Sequence, residues 1–166
     1  MTVTRVEKDF ETLTLTLVAE FDAPIERVWE LWADPRQLER WWGPPTHPAT
    51  FEEHDLTPGG RAAFVLTGEG GETSHNWWRV TAVDPPRLLE FIDGFADRDG
   101  TPIAGGPTTT VRVRLTEHDR GTRMEMRSVF SSREHMEQVD RLGAMEIFQQ
   151  TVGQMDALLV NHTGPS

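Results

Sequence analysis

Cysteine and tyrosine are both missing from the 166 residues, and basic side chains are few. Without cysteine there is no disulfide, no thiolate metal ligand and no thiol nucleophile. Without tyrosine no phenol can serve as a proton donor, so the aromatic content is six Trp and eight Phe, large rings suited to an apolar interior. Sixteen Lys and Arg against 27 Asp and Glu leave a formal charge of −11. That charge repels phosphate backbones and anionic lipid surfaces, so neither nucleic acid nor membrane insertion is expected. No apolar run approaches the roughly 18 residues of a membrane span. The opening "MTVTRVEKDFETL" has no signal-peptide apolar core, which makes the cytoplasm the expected location. There is also no Gly-x-Ser-x-Gly elbow, no His-Glu-x-x-His helix and no Walker loop, and "GEGGET" lacks the lysine that phosphate binding needs. No cofactor and no metal site are expected.

What is present reads as one domain, since a chain of this size with 37% hydrophobic residues can bury one continuous core. Leu13, Leu15, Leu17, Ala19 and Phe21 alternate with polar neighbours, predicting a strand over 12–21 with one buried face. The period then changes to that of a helix at Ile25, Val28, Trp29 and Trp32, behind Pro24. Asp34-Pro35 starts a second short helix that carries Leu38 and ends at Gly43-Pro44-Pro45. From about 47 to 130 the chain reads as antiparallel strands separated by "TPGG", "GEGG" and "DRG" turns. The segment 95–107, "FADRDGTPIAGGP", predicts a long mobile loop that acts as a lid. Beyond Phe130, Met145, Phe148, Val152, Met155 and Leu159 form one stripe. They predict a single helix of nearly 30 residues, capped by Ser131 or Ser132 and about 45 Å long. Residues 1–11 and 161–166 read as tails around a domain at 12–160.

Four segments carry a resemblance: "FDAPIERVWELWADPRQLERWWGPP", "PGGRAAFVLTGEGG", "WRVTAVDPPRLLEF" and "EIFQQTVGQMDALL". They resemble the activator of heat-shock-chaperone ATPase homologue family, within the START, birch-pollen-allergen and polyketide-cyclase superfamily. The resemblance implies an α+β helix-grip fold: a curved antiparallel sheet of about seven strands around a long C-terminal helix, with two short helices after the first strand. Where relatives often carry Gly-Trp, this chain has Ile147-Phe148, and the bulk of Ile147 is expected to narrow the cavity. The superfamily hosts carriers, receptors and cyclases on one scaffold, so fold alone selects none of them.

The expected function is that of a small binding protein with an apolar cavity for a lipid-like, polyketide-like or other hydrophobic small molecule. Its cavity wall is expected to draw on Trp41, Trp42, Phe51, Phe64, Trp78, Phe91, Phe95, Met126, Met145, Phe148 and Val152. Adjacent helical residues point about 100° apart, so one of Trp41 and Trp42 belongs to the core and the other to the cavity mouth or a helix end. The phase of Trp77 and Trp78 is open. A cyclase or hydrolase-like enzyme is the alternative, with Asp93, Glu53 or His75 carrying protons. Asp93 alternates with Phe91 and Phe95, yet "DG" is a turn signal and points to a strand-end carboxylate in water. Glu53 shares a predicted strand face with Phe51, although "FEEHD" also reads as a solvated edge. His47, His54 and His75 match no metal spacing. A chaperone-binding module is the third reading, and the chain is expected to be a monomer or homodimer.

Overall fold

The computed structural model describes residues 2–162. The elements run β1 (Thr2–Asp9), β2 (Thr14–Phe21), α1 (Ile25–Ala33), α2 (Pro35–Leu38), β3 (Ala49–His54), β4 (Arg61–Thr67), β5 (Thr73–Asp84), β6 (Leu88–Ala96), β7 (Thr108–His118), β8 (Gly121–Phe130), α3 (Arg133–Arg141) and α4 (Ala144–His162). The strands form one antiparallel sheet of eight, in the order β1-β2-β8-β7-β6-β5-β4-β3. Helices α1 and α2 carry the chain from β2, near one edge, to β3 at the other. This is the α+β helix-grip fold.

The first helix buries Ile25, Val28, Leu31 and Trp32, and Asp34 caps the second by accepting from Arg36 N. From α4, Val152, Met155 and Leu159 join the strand leucines, phenylalanines and tryptophans in a common core. The sheet's inner face is set by alternation: Asn76, Trp78 and Val80 of β5 are buried, as are Val111, Val113 and Leu115 of β7. Trp78 therefore faces inward and Trp77 outward.

Several expectations require correction. The expected tail at 1–11 is largely edge strand β1, paired with β2 and fastened to α3 by an ion pair from Lys8 to Asp140 of 2.7 Å. The sheet accordingly has eight strands where about seven were expected. A register shift between Val3 and Arg5 puts Val3 and Val6 against the core together, which hides the strand from a two-residue reading. The single C-terminal helix is two, α3 and α4, broken at Gly143 with φ +71. Ser132 caps α3, and α4 has 19 residues, about 28 Å. The segment 95–107 is folded back on β6: Ala96 bridges Pro102, and the Asp97 carboxylate accepts from the amides of Asp99 and Thr101. The expected tail at 161–166 overlaps the end of α4, and residues 163–166 lie outside the described residues.

Candidate functional site

Between the inner face of the sheet and the α3–α4 corner lies a cavity of about 260 Å³. That lies just below the usual range of ligand pockets, roughly 300 to 1,000 Å³. Leu15, Trp42, Phe95, Phe130, Met145 and Phe148 supply apolar wall, and Asn76, Asp93, Thr109, Ser128 and His135 supply polar groups.

The Trp41-Trp42 pair divides its rings between two environments. Trp41 is fully buried, donates its indole N–H to Leu31 O at 2.9 Å and meets Trp32 edge-on at 4.7 Å. Trp42 is half-buried at the cavity wall, edge-on to Trp78 at 5.0 Å and to Phe148 at 6.4 Å. The turn that follows them is held by α4, because the Gln154 side-chain amide donates to Trp41 O at 3.1 Å and to Gly43 O at 2.7 Å.

Of the expected wall residues, Trp42, Phe95, Met145 and Phe148 line this cavity. Trp41, Phe51, Phe64, Trp78, Phe91, Met126 and Val152 lie in the solid core. Their rings pack on one another: Trp78 stacks on Phe91 at 4.0 Å, and Phe51 on Phe64 at 4.8 Å. Phe95 is 47% exposed and stands at the rim. Ile147 does not narrow the cavity: it is 43% exposed, one helical position round from Phe148 and outside the lining.

The three proton-carrier candidates separate. Asp93 is no strand-end group in water. It lies within β6, opposite Trp78 on β5 and Thr109 on β7, and the surface it keeps is cavity wall. Burial pushes its pKa up to about 7. The turn signal misled because Gly94 serves a different purpose. A Cβ there would stand 2.5 Å from the Trp77 ring, so the glycine makes room for that ring on the outer face. Glu53 does not share a face with Phe51, because a register shift between them turns it outward opposite Ala63, 3.7 Å from Arg61 Nε. His75 faces outward on β5, in a surface groove with Ile103. His54 turns its Nε2 to Trp32 O at 3.1 Å, and His47 lies 3.6 Å from Glu72.

Sequence reading missed the polar groups Asn76, Thr109, Ser128 and His135. Three of them carry a usable signal, since each lies two residues from an inward apolar neighbour: Asn76 from Trp78, Thr109 from Val111, Ser128 from Met126 and Phe130. His135 reaches the cavity from the first turn of α3, edge-on to Phe130 at 5.4 Å. Burial lowers its pKa, and its Nδ1 has no hydrogen-bond partner among the described residues.

An open antiparallel sheet gripping a C-terminal helix over a small, mostly apolar cavity defines the class as that of helix-grip proteins. The chain belongs to the family described as activator of Hsp90 ATPase homolog 1-like protein, which it matches over residues 22–160. It is similar to protein Ms6760 from Mycobacterium smegmatis, 46% identical over 97% of this chain and 99% of that one, with TM-score 0.87. It is also similar to a protein from Arthrobacter aurescens, 47% identical over 96% of this chain and 93% of that one, with TM-score 0.91. The AHSA1 protein from Silicibacter pomeroyi, at 22% identity over 90% of this chain and 99% of that one, with TM-score 0.72, shares the fold. No curated protein matches the chain. No helix among the described residues is long and apolar enough to cross a membrane.

Proposed function

We propose that this chain is a binding protein for a hydrophobic small molecule, held between the sheet and the α3–α4 corner. The observation that carries the reading is the cavity of about 260 Å³, walled by Trp42, Phe130, Met145 and Phe148 beside a core of buried rings. The cavity opens to solvent at its rim, and a hydrophobic ligand entering it would exchange water for contact with these rings. The size suits a compound of one or two rings better than a long acyl chain. Native mass spectrometry of freshly purified protein tests the reading. The expected result is a species heavier than the bare chain that loses the excess mass on unfolding, and the same spectrum distinguishes monomer from homodimer. A bare mass in every preparation, together with no uptake of a fluorescent apolar probe, would overturn it.

A second reading has one observation in its favour: Asp93, with its pKa near neutrality, stands in the cavity where a proton carrier would be needed. An enzyme of cyclase or hydrolase type would lose turnover in Asp93→Asn with ligand binding retained. Stimulation of a heat-shock chaperone ATPase rests on the family description, and calorimetry against the purified chaperone decides it.

A further inference from the structure

The polar groups of the cavity are not scattered. Asn76 of β5, Asp93 of β6, Thr109 of β7 and Ser128 of β8 all face inward and form a row across four adjacent strands. Asp93 pairs directly with Thr109. Asn76 sits opposite Phe95, and Ser128 opposite Val111, each one inward step from the Asp93–Thr109 pair. The row ends a sheet face that is otherwise apolar from Phe91 and Trp78 onward.

The free valences of this row are mainly acceptors. The Asn76 side-chain N–H groups are occupied, donating to Ser74 O at 3.0 Å and to Ser74 Oγ at 3.4 Å, which leaves its carbonyl oxygen. The Asp93 carboxyl has no hydrogen-bond or ion-pair partner among the described residues, and burial alone accounts for its raised pKa. No Lys or Arg lines the cavity to neutralise it. A half-buried carboxyl at an apolar cavity wall without a counter-charge is costly unless it is protonated or gains a cation, and the rise of its pKa is the sign of that cost. His135, the other titratable group in the lining, has its pKa lowered by burial and is neutral at pH 7, so it supplies no charge. Around the row stand the rings of Trp42, Phe95, Phe130 and Phe148, whose faces attract a cation.

We propose that the ligand is an apolar amine whose ammonium group sits against the Asp93 carboxylate and the Asn76 carbonyl, with its hydrocarbon body among Trp42, Met145 and Phe148. This rests on the binding reading above and adds the chemistry of the ligand. An acid of the same shape would place a second anion beside Asp93. An alcohol would make a hydrogen bond without supplying the missing charge.

Calorimetry at pH 7 with naphthylethylamine, naphthylethanol and naphthylacetate tests the proposal, because the three share a body and differ in the polar end. The amine is expected to bind at least about tenfold more tightly than the alcohol, as expected for a charge-assisted contact, and the acetate more weakly than either. In Asp93→Asn the amine is expected to lose about tenfold while the alcohol stays within about twofold. The order of the three probes on the unsubstituted protein needs no variant and is a test by itself. If the alcohol or acetate binds as tightly as the amine, or if Asp93→Asn leaves the amine unchanged, the amine assignment is overturned and the apolar cavity stands. If none of the three binds, both fail.

Discussion

Trp41 and Trp42 are neighbours whose substitution should give different results. Trp41 fills core space and satisfies its indole N–H on Leu31 O, so Trp41→Ala is expected to cost about 3–5 kcal/mol in urea unfolding. Trp42 is half-buried at the cavity, so Trp42→Ala should cost less stability and should change the uptake of an apolar fluorescent probe. Equal destabilisation with unaltered uptake would make both rings structural. Asp93 gives a second prediction at this scale. The fold holds its proton with a pKa of about 7 against an ordinary 3.8, so ionisation removes stability as the pH rises through that interval. Asp93→Asn should match the wild type near pH 4 and become the more stable of the two by roughly 1–4 kcal/mol at pH 8. His54 and His135, whose pKa values burial lowers, titrate in both proteins and cancel in the difference. A stability gap that is flat from pH 4 to pH 8, read from denaturant melts, would show Asp93 to be solvated.

Among the elements, the break between α3 and α4 sets the direction from which Met145 and Phe148 enter the cavity. Gly143 adopts φ +71, a region that costs a residue with a Cβ about 1–2 kcal/mol. Gly143→Ala should therefore lower stability by about that amount and weaken probe binding together. A gain in helix content with unchanged stability would mean that α3 and α4 can run on as one helix. The sequence holds this glycine in plain view, but a glycine inside an apolar stripe does not announce its φ. The same limit explains the other departures. Alternation reveals β2, β7 and β8, and the stretch of β5 from Asn76 to Val80, where inward positions are buried in succession. It fails at β1 and β3, where register shifts at Val3/Arg5 and Phe51/Glu53 turn the next residues over. The second shift puts Glu53 on the face opposite to the one a two-residue period from Phe51 predicts. In the site, the apolar residues were legible as inward positions, yet the division between those that fill the core and those that wall the cavity depends on how rings from different strands stack. Trp78 on Phe91 is such a contact, and it pairs residues on separate strands.

At the scale of the whole molecule, the family and the helix-grip arrangement follow from long stretches of pattern, which is why they were readable while individual side-chain roles were not. The strand order carries a consequence for how the chain is made. Strands β3 to β8 form a meander in which each strand pairs with its predecessor, so each can add to the sheet as it leaves the ribosome. The β1–β2 hairpin emerges first, but β2 pairs on its other side with β8, and Thr14 must wait for Val129. At about 5–20 residues per second, β2 spends several seconds with its second side unpaired while the rest of the chain is synthesised. During that interval the open side of β2 can pair with a neighbouring copy, and completion of β8 covers it, leaving β1 and β3 as the edges of the sheet.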